Sequence, residues 1–247
     1  MTETVSTSTQ NLSASSRAPL RGQTVIEQIK AYILRHRLAP GDPLPTESAL
    51  CEELGASRSS VREAIKTLSA LDIVEVRHGH GTYVGRLSMA ALVEGLVFRA
   101  QLSSQDDFAV LGELIGVRQL LEQGFAGPIL AAFDDELRAA LDAQVEEMRR
   151  RTDLGEPFVE ADRAFHLLLI QPLRNDLVSQ LTAAFWDVHA VVAPMLSTSL
   201  EHARETVDAH AGIVTAAANG DEAAFVRAIE THYAPVREQL DYHLRQS

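Results

Sequence analysis

The chain has 247 residues, 46% hydrophobic but only 5% aromatic, and a formal net charge of -12. That length and apolar content allow two buried cores, and abundant Ala and Leu with few aromatics favour helices over a β-sandwich. One cysteine, Cys51, excludes an internal disulfide framework, and no apolar run approaches the roughly 20 residues of a membrane span, so a reducing, cytoplasmic setting with no membrane partner is expected.

Residues 1–16 are rich in Ser and Thr and lack the apolar stretch of a secretory signal, so 1–19 reads as a disordered tail. A helix is predicted over 24–38, where Val25, Ile29 and Ile33 recur at helical spacing. Ala39-Pro40-Gly41-Asp42-Pro43-Leu44-Pro45 breaks the chain. Thr46 then caps a short helix over 47–54 that Gly55 ends, and Ser57 caps a third over 58–70. The runs 73–77 and 82–84 read as two short strands, joined by the glycine-rich tip His78-Gly79-His80-Gly81. A linker of helical character follows over 87–104. Beyond it the pattern is helical throughout, over 105–126, 134–151, 156–170, 175–193, 200–218 and 221–244, with breaks at Gly127-Pro128, Pro172, Pro194 and Asn219-Gly220. The expected organisation is thus mainly α: a winged helix-turn-helix over 20–86, a linker over 87–104, and an all-α bundle of six or seven helices over 105–247.

The charge is unevenly spread. Residues 1–86 hold 10 Lys+Arg and 9 Asp+Glu, a net +1, whereas 87–247 hold 12 and 25, a net -13. Only the first part can approach a phosphate backbone without strong repulsion. Within it, the second and third helices are separated only by Gly55-Ala56-Ser57, the spacing of a helix-turn-helix. Arg58 and Arg62 are four residues apart and share a face, with Ser59 and Ser60 between them at a helix N-terminus suited to phosphate oxygens. An arginine can bridge guanine O6 and N7, which makes these two the candidate base readers. His78, Gly79 and His80 at the hairpin tip are small or polar enough to follow a minor groove. Each feature alone also suits a solvated surface; their order along the chain favours DNA.

In the acidic part, Asp162 and His166 lie one helical turn apart, and His210 and His232 fall on two further helices. Three helices of a bundle can present four such groups to one point. Three imidazoles and a carboxylate suit a divalent transition metal: zinc foremost, with nickel, iron(II) and manganese as alternatives. Spacing by itself leaves a second reading open, in which each histidine is an ordinary hydrogen-bonded core residue.

Leu44-Pro45-Thr46-Glu47, Glu53-Leu54-Gly55-Ala56-Ser57-Arg58, Val61-Arg62-Glu63-Ala64 and Gly79-His80-Gly81-Thr82-Tyr83-Val84 resemble the winged-helix module of the GntR family of bacterial regulators. The resemblance implies DNA contacts from Arg58, Arg62 and Gly79; Ser48 departs from it, standing where that family commonly has arginine. Asp162 to His166 with Phe165, then Asn175, Ala209-His210-Ala211-Gly212-Ile213 and Gly220-Asp221 followed by His232 resemble the effector (FCD) domain of the FadR-type subfamily. That resemblance implies Asp162, His166, His210 and His232 as metal ligands and a small carboxylate or sugar-acid effector beside the metal. Arg118 would pair the effector carboxylate and Asn175 would assist it. An Arg118–Glu122 ion pair on a solvated face is the alternative for this segment, and His189 is assigned to surface or ordinary polar contacts.

The function these features imply is a ligand-responsive transcription regulator binding a palindromic double-stranded operator as a homodimer, and not an enzyme; repressor is the expected sense, but no residue distinguishes it from activator. A metal-dependent hydrolase and a DNA-binding module whose helical half only dimerises are the two rival classes.

Overall fold

In the computed structural model, residues 21–103, 109–192 and 200–244 are described. The expectations of a tail over 1–19 and of a break at Pro194 lie outside them. The chain divides into two compact units, with the boundary between Leu87 and Ser88.

The first unit contains α1 (Arg21–Arg35), α2 (Glu47–Leu54), α3 (Arg58–Ala70), β1 (Val74–Arg77) and β2 (Gly81–Val84). The Thr46 hydroxyl accepts from Ala49 N and the Ser57 hydroxyl from Ser60 N, each satisfying an N–H that a helix start leaves free. Gly55 ends α2 in the left-handed region, at φ 60°. Val25, Ile29 and Ile33 of α1 pack with Leu50, Val61, Ile65 and Leu68 in a single core. β1 and β2 pair antiparallel with Val74 opposite Val84 and Arg77 opposite Gly81. Leu44 N donates to Thr82 O and Val84 N to Asp42 O, so the Pro-rich segment before α2 lies along the free edge of β2.

The second unit is all helical among its described residues: α4 (Ala90–Ser103), α5 (Ala109–Gly124), α6 (Ala126–Ala131), α7 (Asp135–Asp153), α8 (Val159–Ile170), α9 (Asp176–Val192), α10 (Leu200–Ala218) and α11 (Glu222–Leu244), with one 3₁₀ turn at Gln171–Leu173. The segment expected as a linker forms α4, which packs against α5 and α9 and buries Ala100. The break expected at Gly127-Pro128 falls earlier, at Phe125, and both residues sit in the first turn of α6. Proline costs little there, because the first N–H groups of a helix have no intrahelical acceptor. Leu141, Met148, Phe165, Leu169, Ile213 and Phe225 form the centre of the core.

Candidate metal centre and nucleic-acid interface

α8, α10 and α11 meet around four polar side chains within the helical core. Asp162 and His166 project from one face of α8, His210 from α10 and His232 from α11. Their ligand-type atoms all lie within 4.8 Å of one another. His166 and His210 are fully buried, and His232 is 7% exposed. Asp162 Oδ1 is 3.1 Å from His210 Nε2 and 3.3 Å from His166 Nε2, and the Nε2 atoms of His166 and His232 are 3.1 Å apart. Four donors around one ion at about 2.0–2.1 Å stand about 3.3 Å from each other in a tetrahedral arrangement, so these spacings suit a shared metal.

The tautomers point the same way. His210 Nδ1 lies 2.7 Å from the Thr206 carbonyl oxygen, which can only accept, so Nδ1 carries the proton and Nε2 presents a lone pair to the Asp162 carboxylate. His166 Nδ1 lies 2.6 Å from Glu122 Oε1, an oblique contact that is tolerable only with a proton between the two atoms. Its Nε2 then also faces Asp162 with a lone pair. Several lone pairs converging at about 3 Å repel unless a proton or a cation sits among them. The Glu122 carboxylate behind His166 and the Thr206 carbonyl behind His210 are the usual support of a metal-binding histidine, whereas His232 Nδ1 is buried without a partner.

Electrostatics follow from this crowding. Burial alone would raise the Asp162 pKa, but a proton on Nε2 of His210 or His166, where no cation takes its place, outweighs burial by its charge and hydrogen bond and holds the carboxyl well below its usual range. Burial disfavours the His166 cation, yet Glu122 and Asp162 override it and raise its pKa. His232 is driven well below the ordinary histidine range, first by burial and then by the charges of His210 and His166.

Asp162 and His232 also line a cavity of about 740 Å³. Arg118 enters it from α5, 5% exposed, with its guanidinium 4.1 Å over the Trp186 ring and 5.5 Å from that of Tyr233; its Nε has no hydrogen-bond partner. Glu122 is buried too, and it turns to His166 and to the Tyr233 hydroxyl, which donates to it at 3.0 Å. The solvated Arg118–Glu122 pair is thus replaced by two buried groups with separate partners. The signal was present in the sequence: Leu111, Ile115, Arg118 and Glu122 follow helical spacing, which puts both charges on the apolar stripe. His189, assigned to ordinary polar contacts, lines the cavity against Trp186, and its pKa is lowered to about 4 by burial and then by Arg118. Asn175 is not brought to the cavity. It is exposed, and its side-chain oxygen accepts from Val178 N, capping α9; a residue just before a helix start is well placed for that role and here does not reach the site.

In the first unit, Arg58, Ser59 and Arg62 are exposed on the first turns of α3. Arg62 Nε lies 3.4 Å from Glu47 Oε2, a solvated pairing that leaves the guanidinium available. Ser60 is half-buried, and its hydroxyl lies 2.9 Å from that of Ser57, so it belongs to the cap as much as to the surface. His78, Gly79 and His80 are exposed. His80 N donates to Arg77 O across the tip, with Gly79 at φ 77°, and the Tyr83 hydroxyl donates to His80 O. Arg77 stacks over the Tyr83 ring at 4.1 Å, bracing the hairpin from one side.

Residues 21–84 match the family described as bacterial regulatory proteins, gntR family, and residues 113–235 match the FCD domain. The regulatory protein NedR of Micromonospora viridifaciens is 48% identical over 106 residues, covering 43% of this chain and 77% of that protein. The HTH-type transcriptional regulator LutR of Bacillus subtilis is 36% identical over 58% of this chain and 64% of its own length. The galactonate operon transcriptional repressor of Escherichia coli is 26% identical over 68% and 73%. Among solved structures, a GntR protein of Streptococcus agalactiae superposes with a TM-score of 0.62 at 25% identity, over 89% of this chain and 99% of that one.

Proposed function

Because the chain belongs to the gntR family of bacterial regulatory proteins and carries an FCD domain, we propose that it binds operator DNA through α3 and the hairpin tip, and that a metal-assisted carboxylate site in the second unit controls that binding. It is a ligand-responsive transcription regulator and not an enzyme. The observation that carries the sensor reading is the buried quartet Asp162, His166, His210 and His232 beside a cavity entered by Arg118.

The quartet would hold a divalent transition metal, zinc first, since three imidazoles and a carboxylate on a tetrahedral spacing suit it. Bound there, the metal would supply fixed positive charge beside the cavity. Glu122 and the Thr206 carbonyl hold His166 and His210 in the tautomers that turn Nε2 inward. Arg118, stacked on Trp186, offers a planar guanidinium that can hold an effector carboxylate through two bonds. In the first unit, Arg58 and Arg62 would read base edges, the exposed Ser59 and the half-buried Ser60 would meet phosphate, and His78, Gly79 and His80 would follow the adjacent minor groove.

A homodimer would set two α3 helices in successive major grooves of a palindrome. The effector then acts only through a difference in its affinity for the DNA-bound and free arrangements. The repressor sense is carried over from relatives such as the galactonate operon repressor. No described helix is long and apolar enough to cross a membrane.

Elemental analysis of purified protein tests the centre: about one equivalent of metal per chain is expected, and His210→Ala is expected to lose it while remaining helical by circular dichroism. Equal metal content in the two proteins would overturn the assignment.

A further inference from the structure

Resting on the carboxylate-site reading above, the lining of the cavity narrows the chemistry of the effector. Three hydroxyl side chains line it among the described residues: Thr152, Thr206 and Tyr233. Each donates its proton into the protein instead of the cavity. Thr152 Oγ1 bonds Met148 O at 2.8 Å, Thr206 Oγ1 bonds His202 O at 2.8 Å, and the Tyr233 hydroxyl bonds Glu122. Their oxygens can still accept, but none of the three has a proton left to donate into the cavity. The inner polar groups converge at one end: Asp162 and His232 of the quartet, with Arg118, His189 and the unpartnered Trp186 Nε1 beside them. His202 and Glu156 are exposed side chains, and Glu156 lies 3.9 Å from Arg151. The remaining wall is apolar, with Ile115 from α5, Phe158 and Val159 at the start of α8, and Val236 from α11.

A polyhydroxylated chain lying along such a wall would leave hydroxyls without partners after losing water, and each stranded hydroxyl weakens binding. An apolar chain loses nothing there and gains from burial. The cavity, at about 740 Å³, is also large for an acid of three or four carbons and lies within the range of pockets that enclose drug-sized ligands. We infer that the effector is an amphipathic carboxylate, its acid head at the quartet and Arg118 and an unsubstituted hydrocarbon or aromatic body against Ile115, Phe158, Val159 and Val236. Sugar acids are selected against by the same wall.

Calorimetric titration of the metal-loaded full chain tests this with three probes that share one head group. Lactate, 2-hydroxyhexanoate and gluconate all carry an α-hydroxy acid, and the last two have six carbons and differ only at carbons 3 to 6. Affinity is expected to rise about threefold to fourfold per added methylene from lactate to 2-hydroxyhexanoate, and gluconate is expected to bind at least tenfold more weakly than 2-hydroxyhexanoate. Gluconate binding as tightly as 2-hydroxyhexanoate, or no gain from lactate to 2-hydroxyhexanoate, would overturn the inference while leaving a carboxylate site in place. Failure of all three acids to bind the metal-loaded protein would overturn the carboxylate-site reading itself, and the inference with it.

Discussion

Glu122 offers a sharp test of how the centre is built. It contributes no ligand atom, yet its Oε1 lies 2.6 Å from His166 Nδ1 in a place where the two side chains are 3% and 0% exposed. Glu122→Gln preserves shape and leaves an oxygen able to accept from His166 and Tyr233, but removes the charge. A hydrogen bond to a charged group contributes about 1.5–3 kcal/mol and a neutral one about 0.5–1.5 kcal/mol, and burial spares this pair from solvent screening. The difference, about 1–1.5 kcal/mol, corresponds to metal affinity lowered roughly tenfold, at the lower edge of what loss of an outer partner of a ligand usually costs. Competition against a chromogenic chelator measures it directly, with circular dichroism confirming that the bundle stays folded. A variant that holds metal within twofold of the parent would refute the view that Glu122 orients and charges His166 for the ion.

Arg58→Ala is expected to weaken binding to an operator selected from random-sequence DNA with the parent protein by about tenfold to a hundredfold per half-site, from the loss of one bidentate base contact; unchanged anisotropy titrations would remove Arg58 from the reading helix. Gly85→Ala would place a Cβ 2.2 Å from the Asp72 carbonyl oxygen, where only backbone can yield. Destabilisation of the first unit by about 1–3 kcal/mol or more is expected, with DNA binding lost and metal binding kept; an unaltered melting profile would contradict it. His166 carries its proton more readily than an ordinary histidine, and a metal ligand must be neutral. Metal uptake at mildly acidic pH should therefore release protons, and metal affinity should fall as pH falls; calorimetry in buffers of different ionisation heat reads the release, and a net proton uptake would contradict the assignment.

Much of the first unit was legible because its signals are local. Thr46, Gly55 and Ser57 set the ends of α2 and α3 through bonds spanning three or four residues, and those ends fall where the sequence places them. The glycine tip and short apolar strands mark the hairpin in the same way. In the second unit, periodicity predicts most helices, but it placed a break at Gly127-Pro128 that the structure puts at Phe125, because proline is harmless in a first helical turn. Asn175 shows the opposite limit: the resemblance to the FCD domain implied a place at the effector site, whereas a local bond to Val178 N claims its side chain.

Composition, charge partition and short-range patterns therefore determined a winged-helix reader followed by a helical bundle, and marked Asp162, His166, His210 and His232 as a possible set. Which side chains share a point was decided by packing. Residues 122, 166, 189 and 233 are distant in the chain and carry no mutual spacing, so the pairing of Glu122 with His166, the stacking of Arg118 on Trp186 and the donated hydroxyl protons of the cavity lining emerge only when α5, α8, α9, α10 and α11 close around one core. Hydrogen-bond partners reached across a bundle depend on helix rotation and register, and those are settled by how the apolar faces interdigitate.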